Sequence, residues 1–153
     1  MPFLFCGEPR VHESEITDCV TALIDICENA EGDFLAWAGN ADRMDLQLMM
    51  TRRAATWHRW AAELKALCLD STVACVAQRS AGDAKALLTV DSDLALLTHC
   101  ERGEETALKH YRDALDQEVP RVVRAVLQRH VDGIWHSRAH LRSLRAVTVL
   151  EHA

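Results

Sequence analysis

Four long stretches of this chain repeat apolar side chains at steps of three and four residues, with little to interrupt them. The first stripe is Ile16, Val20, Leu23, Cys27, Ala30, Phe34 and Trp37, and the second is Leu46, Met50, Arg53, Trp57, Trp60, Leu64 and Leu67. The third is Leu94, Leu97, Glu101, Glu104, Leu108, Tyr111 and Leu115, and the fourth is Val123, Leu127, His130, Ile134, Ser137, Leu141 and Leu144. This spacing turns one face of a helix toward a core. Only six glycines and three prolines occur in 153 residues, too few for a turn-rich β fold. The sequence therefore predicts an all-α chain with long helices over 14–38, 42–69, 91–118 and 121–147, forming one domain over 1–153.

Local signals set the boundaries. Ser14 is a suitable N-cap, and Gly39-Asn40 a suitable C-terminus, for the first helix. The short break after it predicts an antiparallel hairpin with the second. Pro120 suits the start of the fourth helix. Residues 1–13 read as an irregular lead-in, and residues past 147 as frayed. The segment 70–90, with Ser71-Thr72 as a cap and Gly82 as a weak point, reads as a partly helical crossover.

The net charge is −6, so a nucleic-acid partner is not expected. No run approaches the roughly 18 apolar residues of a membrane span. The start lacks the basic and long apolar regions of a signal peptide, which predicts a cytoplasmic protein. Six cysteines occur without C-x-x-C pairs and read as reduced thiols, several of them buried. Helices three and four carry opposite charge. Residues 91–118 hold eight acids and three bases, whereas 121–145 hold six arginines and one acid. Neighbouring faces of these helices can pair; an arginine-rich partner-binding face is the alternative.

Glu101 and Glu104 interrupt an apolar stripe and need partners or a solvated cavity. Level residues across the 119–120 turn should have numbers summing to about 238, which sets Glu101 against Ser137 and Glu104 against Ile134. His130 and His140 fall about one turn away. Such a group suits a metal or proton-transfer site, but more ordinarily a polar network. His58, between Trp57 and Trp60, could face a pocket. His136 and His140 have the i, i+4 spacing of a chelate but lack the Glu of H-E-x-x-H. No phosphate loop or spaced nucleophile triad occurs, which leans against an enzyme.

The run Cys100-Glu101-Arg102-Gly103-Glu104-Glu105, leading to Ala107-Leu108-Lys109 and Tyr111, and the run Ala139-His140-Leu141-Arg142-Ser143-Leu144-Arg145 resemble an uncharacterised bacterial family of the ferritin-like, rubrerythrin-related superfamily. The resemblance covers roughly residues 15–147 and departs from the family pattern at Cys75 and Ala81. It implies a ferritin-like four-helix bundle with a long crossover between helices two and three. Di-metal members of the superfamily use one Glu from each of two helices and Glu-x-x-His from each of the others. Glu104 and His140 resemble two of those ligands, and Glu31 and Glu63 are candidate completions. Ala66 and Ser137, however, stand where a His and a Glu should be. With the hairpin centred near residue 40, Glu31 is level with Met49 and about 14 residues, roughly 21 Å, from Glu63; Glu28 lies nearer Arg52 and Arg53.

The expectation is a non-enzymatic structural or stress-associated bundle, without cofactor, that forms a homodimer or other homo-oligomer. Trp57, Trp60, Trp135, Met44, Met49 and Met50 would supply its apolar face. The alternative is a metal-binding oxidoreductase or storage protein holding iron, manganese or zinc at Glu101, Glu104 and His140.

Overall fold

The computed structural model describes residues 9–70 and 92–151, with side chains described over 15–68 and 92–151. Among the described residues there are four α-helices and no strand: α1 (Pro9–Asn40), α2 (Met44–Asp70), α3 (Asp93–Leu115) and α4 (Arg121–Glu151). The all-α expectation holds. The residues assigned to a crossover, from 71 on, and the first eight of the lead-in lie outside the described residues.

Two helix ends differ from expectation. α1 begins at Pro9 rather than Ser14. Proline is favoured in the first turn, and nothing between it and Ser14 breaks a helix. α4 runs to Glu151 instead of fraying past 147. Its last turn is held by tertiary contacts: Thr148 is fully buried, and Arg43 Nη1 donates to Glu151 Oε2 at 2.9 Å. The α1–α2 turn gathers further ties. Asp42 N donates to Asp93 Oδ1 at 2.9 Å, beside the Ser92 cap of α3, and Gln47 Nε2 donates to Ala41 O at 2.7 Å.

The stripes become the core. Phe34, Leu46, Met50, Trp57, Leu64, Leu97, Leu108, Leu127, Ile134 and Leu141 are all buried. α1 packs chiefly on α2 and α3 on α4, with lesser contact between α1 and α3 and between α2 and α4. Burial removes half of the apolar face expected for self-association: Trp57, Trp60 and Met50 are interior, Met49 is half-buried, and Trp135 and Met44 stay exposed.

The registers also move. Across α3 and α4, Tyr111 meets His130 and Glu104 meets Ser137, so Glu104 does not face Ile134, nor Glu101 Ser137. The connection is asymmetric. α3 stops at Leu115, and Arg124 reaches back to Leu115 O and Gln117 O, displacing α4 by about one turn. Across α1 and α2, Glu28 meets Lys65 at 2.5 Å and Glu31 meets His58 at 3.1 Å. The pairing of Glu28 with Arg52 or Arg53 and of Glu31 with Met49 is thereby corrected. α1 extends to Asn40 and α2 starts at Met44, which moves the centre of the hairpin along the chain.

Candidate functional site

Among the described residues, two polar clusters occupy the interior. The first is built on Glu104, whose side chain is completely buried in α3. Arg53 of α2 grips it with two parallel bonds, Nε to Oε1 at 2.6 Å and Nη2 to Oε2 at 2.9 Å. Ser137 Oγ of α4 donates to Oε1 at 2.8 Å. A guanidinium fork on a carboxylate is the strongest such pairing available, and a buried carboxylate requires it. Arg53 also lies 5.3 Å from the ring centre of Trp57 and 5.0 Å from that of Trp60. Those contacts cover a charge that would otherwise face apolar surroundings.

The second cluster is a chain through all four helices. Cys27 Sγ of α1 lies 3.2 Å from Tyr111 OH of α3, Tyr111 OH lies 2.8 Å from His130 Nδ1 of α4, and His130 Nε2 lies 3.0 Å from Glu63 Oε2 of α2. Arg129 reaches the same Glu63 oxygen at 2.9 Å. Burial raises the affinity of Glu63 for a proton, but contacts with His130 and Arg129 outweigh it and hold the pKa below its usual value. For His130, burial is the largest influence and pushes its pKa down, against the pull of Glu63. At neutral pH Glu63 is ionised and His130 neutral, and this fixes the donors. His130 Nε2–H donates to Glu63, bare Nδ1 accepts from Tyr111 O–H, and Tyr111 oxygen accepts from Cys27 S–H. Burial pushes the Cys27 thiol up to about 12 and the Tyr111 hydroxyl well above its ordinary range. The neutral thiol is a poor nucleophile, and neither side chain meets solvent. Trp60 joins the clusters, stacking on His130 with ring centres 4.6 Å apart.

The residues expected to hold a metal are placed separately. Glu104 is spent on Arg53 and Ser137. Glu101 lies 2.6 Å from Arg145 and 3.6 Å from Arg142. His140 is exposed and lines a groove between α2 and α4. Among the described residues, no group of three or more His, Cys, Asp or Glu side chains could hold a metal ion. Both ring nitrogens of His130 are engaged. A metal of the superfamily type therefore does not fit this donor set, because a guanidinium stands beside the buried carboxylate. The predicted face-to-face charge between α3 and α4 is real: besides the Glu101 pairs, Arg138 approaches Glu105 at 3.9 Å. His58 is largely exposed and lies 3.1 Å from Glu31 Oε1.

Sequence reading placed Arg53, Tyr111 and His130 on the stripes but did not join them. A usable signal existed, since polar groups at interior positions must find partners. Among the cysteines, Cys19, Cys27 and Cys100 are free thiols, as expected, but Cys68 is disulfide-bonded, with its partner outside the described residues. Disulfide formation depends on proximity in space, which sequence spacing did not reveal. No helix among the described residues is long and apolar enough to cross a membrane. Compared with protein-family models and with curated proteins, the chain finds no match.

Proposed function

We propose that this chain is a ferritin-like antiparallel four-helix bundle acting as a non-enzymatic structural or stress-associated module that self-associates. The ferritin-like topology draws support from Asp42 and Asp93, whose hydrogen bond sets the start of α3 beside the α1–α2 turn. α2 leads away from that turn for 27 residues, about 40 Å at the helical rise. A long crossover between α2 and α3 is the connection this placement supports.

The observation that carries the non-enzymatic reading is the Arg53–Glu104–Ser137 cluster. It satisfies the buried carboxylate with a cation and a hydroxyl already in the chain, and its guanidinium would repel a dication. The remaining interior polar chain ends on a neutral, solvent-inaccessible thiol. Self-association is supported by Met44, Val147 and Leu150, large apolar side chains left in solvent near one end of the bundle.

Elemental analysis and light scattering test both halves of the reading. The expected result is less than one tenth of a metal ion per chain, taken as about the adventitious level after iron or zinc challenge and desalting, together with a solution mass of a dimer or larger. About one metal per chain, lost in Glu104→Gln, would restore the metal-binding reading. A strictly monomeric mass at all concentrations would remove self-association.

A further inference from the structure

α2 and α4 are in tight contact at one point and apart beyond it. A Cβ placed on Gly133 would lie 2.6 Å from Trp60 Cζ2, so glycine is what lets the ring press on α4. From there toward the start of α2, a groove of 590 Å³ opens, lined by Leu48, Met49, Arg52, Arg53, His140 and Leu144 among others. That volume is in the usual range for small-molecule sites, about 300–1,000 Å³.

The charge of the groove runs against that of the protein. The chain as a whole carries −6, yet two guanidiniums and the imidazoles of His136 and His140 converge here. Their donors are largely unspent. The Arg52 guanidinium, exposed on α2, makes no ion pair with any described residue. Arg53 commits Nε and Nη2 to Glu104, and its Nη1 bonds none of the described residues. Among the described lining residues the one carboxylate, Asp45, is held by Arg43 at 2.8 Å. The other part of the lining is apolar, through Leu48, Met49 and Leu144.

We infer that this groove binds an amphipathic anion, a carboxylate or phosphate monoester head on a short alkyl or acyl chain. The head sits against Arg52, Nη1 of Arg53 and His140, where charge-assisted hydrogen bonds are available. The chain lies along Leu48, Met49 and Leu144, where its burial is favourable. A metal cation is the wrong occupant, since the Arg52 guanidinium faces this space and Asp45, the one carboxylate among the described lining residues, is paired with Arg43.

Calorimetric titration of the full chain tests this with octyl phosphate, octanoate, inorganic phosphate and octanol. One saturable site is expected for octyl phosphate or octanoate, and the tighter of the two identifies the head. Octanol and inorganic phosphate should bind at least about tenfold more weakly, because each lacks one half of the contacts. The double variant Arg52→Ala/His140→Ala removes exposed side chains outside the interior clusters and should fold normally, as checked by circular dichroism. Its affinity for the anionic amphiphile should fall about tenfold or more. If neither amphiphile binds, if octanol binds equally well, or if the folded double variant binds like the wild type, the inference is overturned.

Discussion

At the residue scale, Tyr111 shows how much the interior depends on single polar atoms. Its hydroxyl both accepts from Cys27 and donates to His130. Tyr111→Phe leaves the ring packing intact and strands a buried imidazole nitrogen. The expected loss is about 1–3 kcal/mol by urea denaturation, the cost of an unsatisfied buried group. A loss within error of zero would mean that the chain of bonds contributes nothing to folding. The positions of these residues were legible in the sequence, because Cys27, Tyr111 and His130 all fall on apolar stripes. Their connection was not, since it depends on a register between α3 and α4 that one turn of displacement alters. Glu104 is a comparable case. Its need for a partner was readable from burial alone, but identifying that partner as Arg53 required the relative setting of α2 and α3.

At the element scale, two glycines inside helices have opposite meanings. Gly32, on the exposed side of α1, has nothing within 4 Å of where a Cβ would stand. Gly32→Ala should stabilise by about 0.5–1 kcal/mol, the ordinary difference in helix propensity. Gly133 in α4 faces the Trp60 ring, which is pinned between the His130 stack and Arg53. Gly133→Ala should therefore destabilise by about 1–3 kcal/mol despite its better propensity. Thermal midpoints moving in opposite directions would bear this out; two midpoints that both rise would show that Trp60 yields freely. The four helices themselves were legible because period and length agreed. Their ends were less so: Pro9 and the last turn of α4 depend on a permissive lead-in and on the Arg43–Glu151 tie, neither of which periodicity records.

At the scale of the whole molecule, the interior clusters set the pH range of stability. His130 titrates below its ordinary 6.5 in the folded chain, chiefly because it is buried. The unfolded chain then binds more protons, so this contribution is complete above that value and is lost as pH falls through it. Glu63, held below 4.5, adds loss in the same direction at lower pH. Cys27 behaves oppositely. Burial raises it from 9.0 to about 12, so its contribution is present below 9.0 and is lost as pH rises beyond it. Urea midpoints should therefore plateau between the ordinary His and Cys values and fall on both sides; a rise on acidification through the His range would contradict the His130 assignment. The most direct measurement of the central claim, that a buried ion pair holds this interior together where a metal centre does not fit, is a double-mutant cycle of folding stability on Arg53 and Glu104. Arg53→Met or Glu104→Leu alone should each cost about 3–5 kcal/mol by stranding the other charge, and the double variant should recover to wild-type stability or exceed it. A Glu104→Leu variant as stable as the wild type, or additive losses in the double variant, would contradict it.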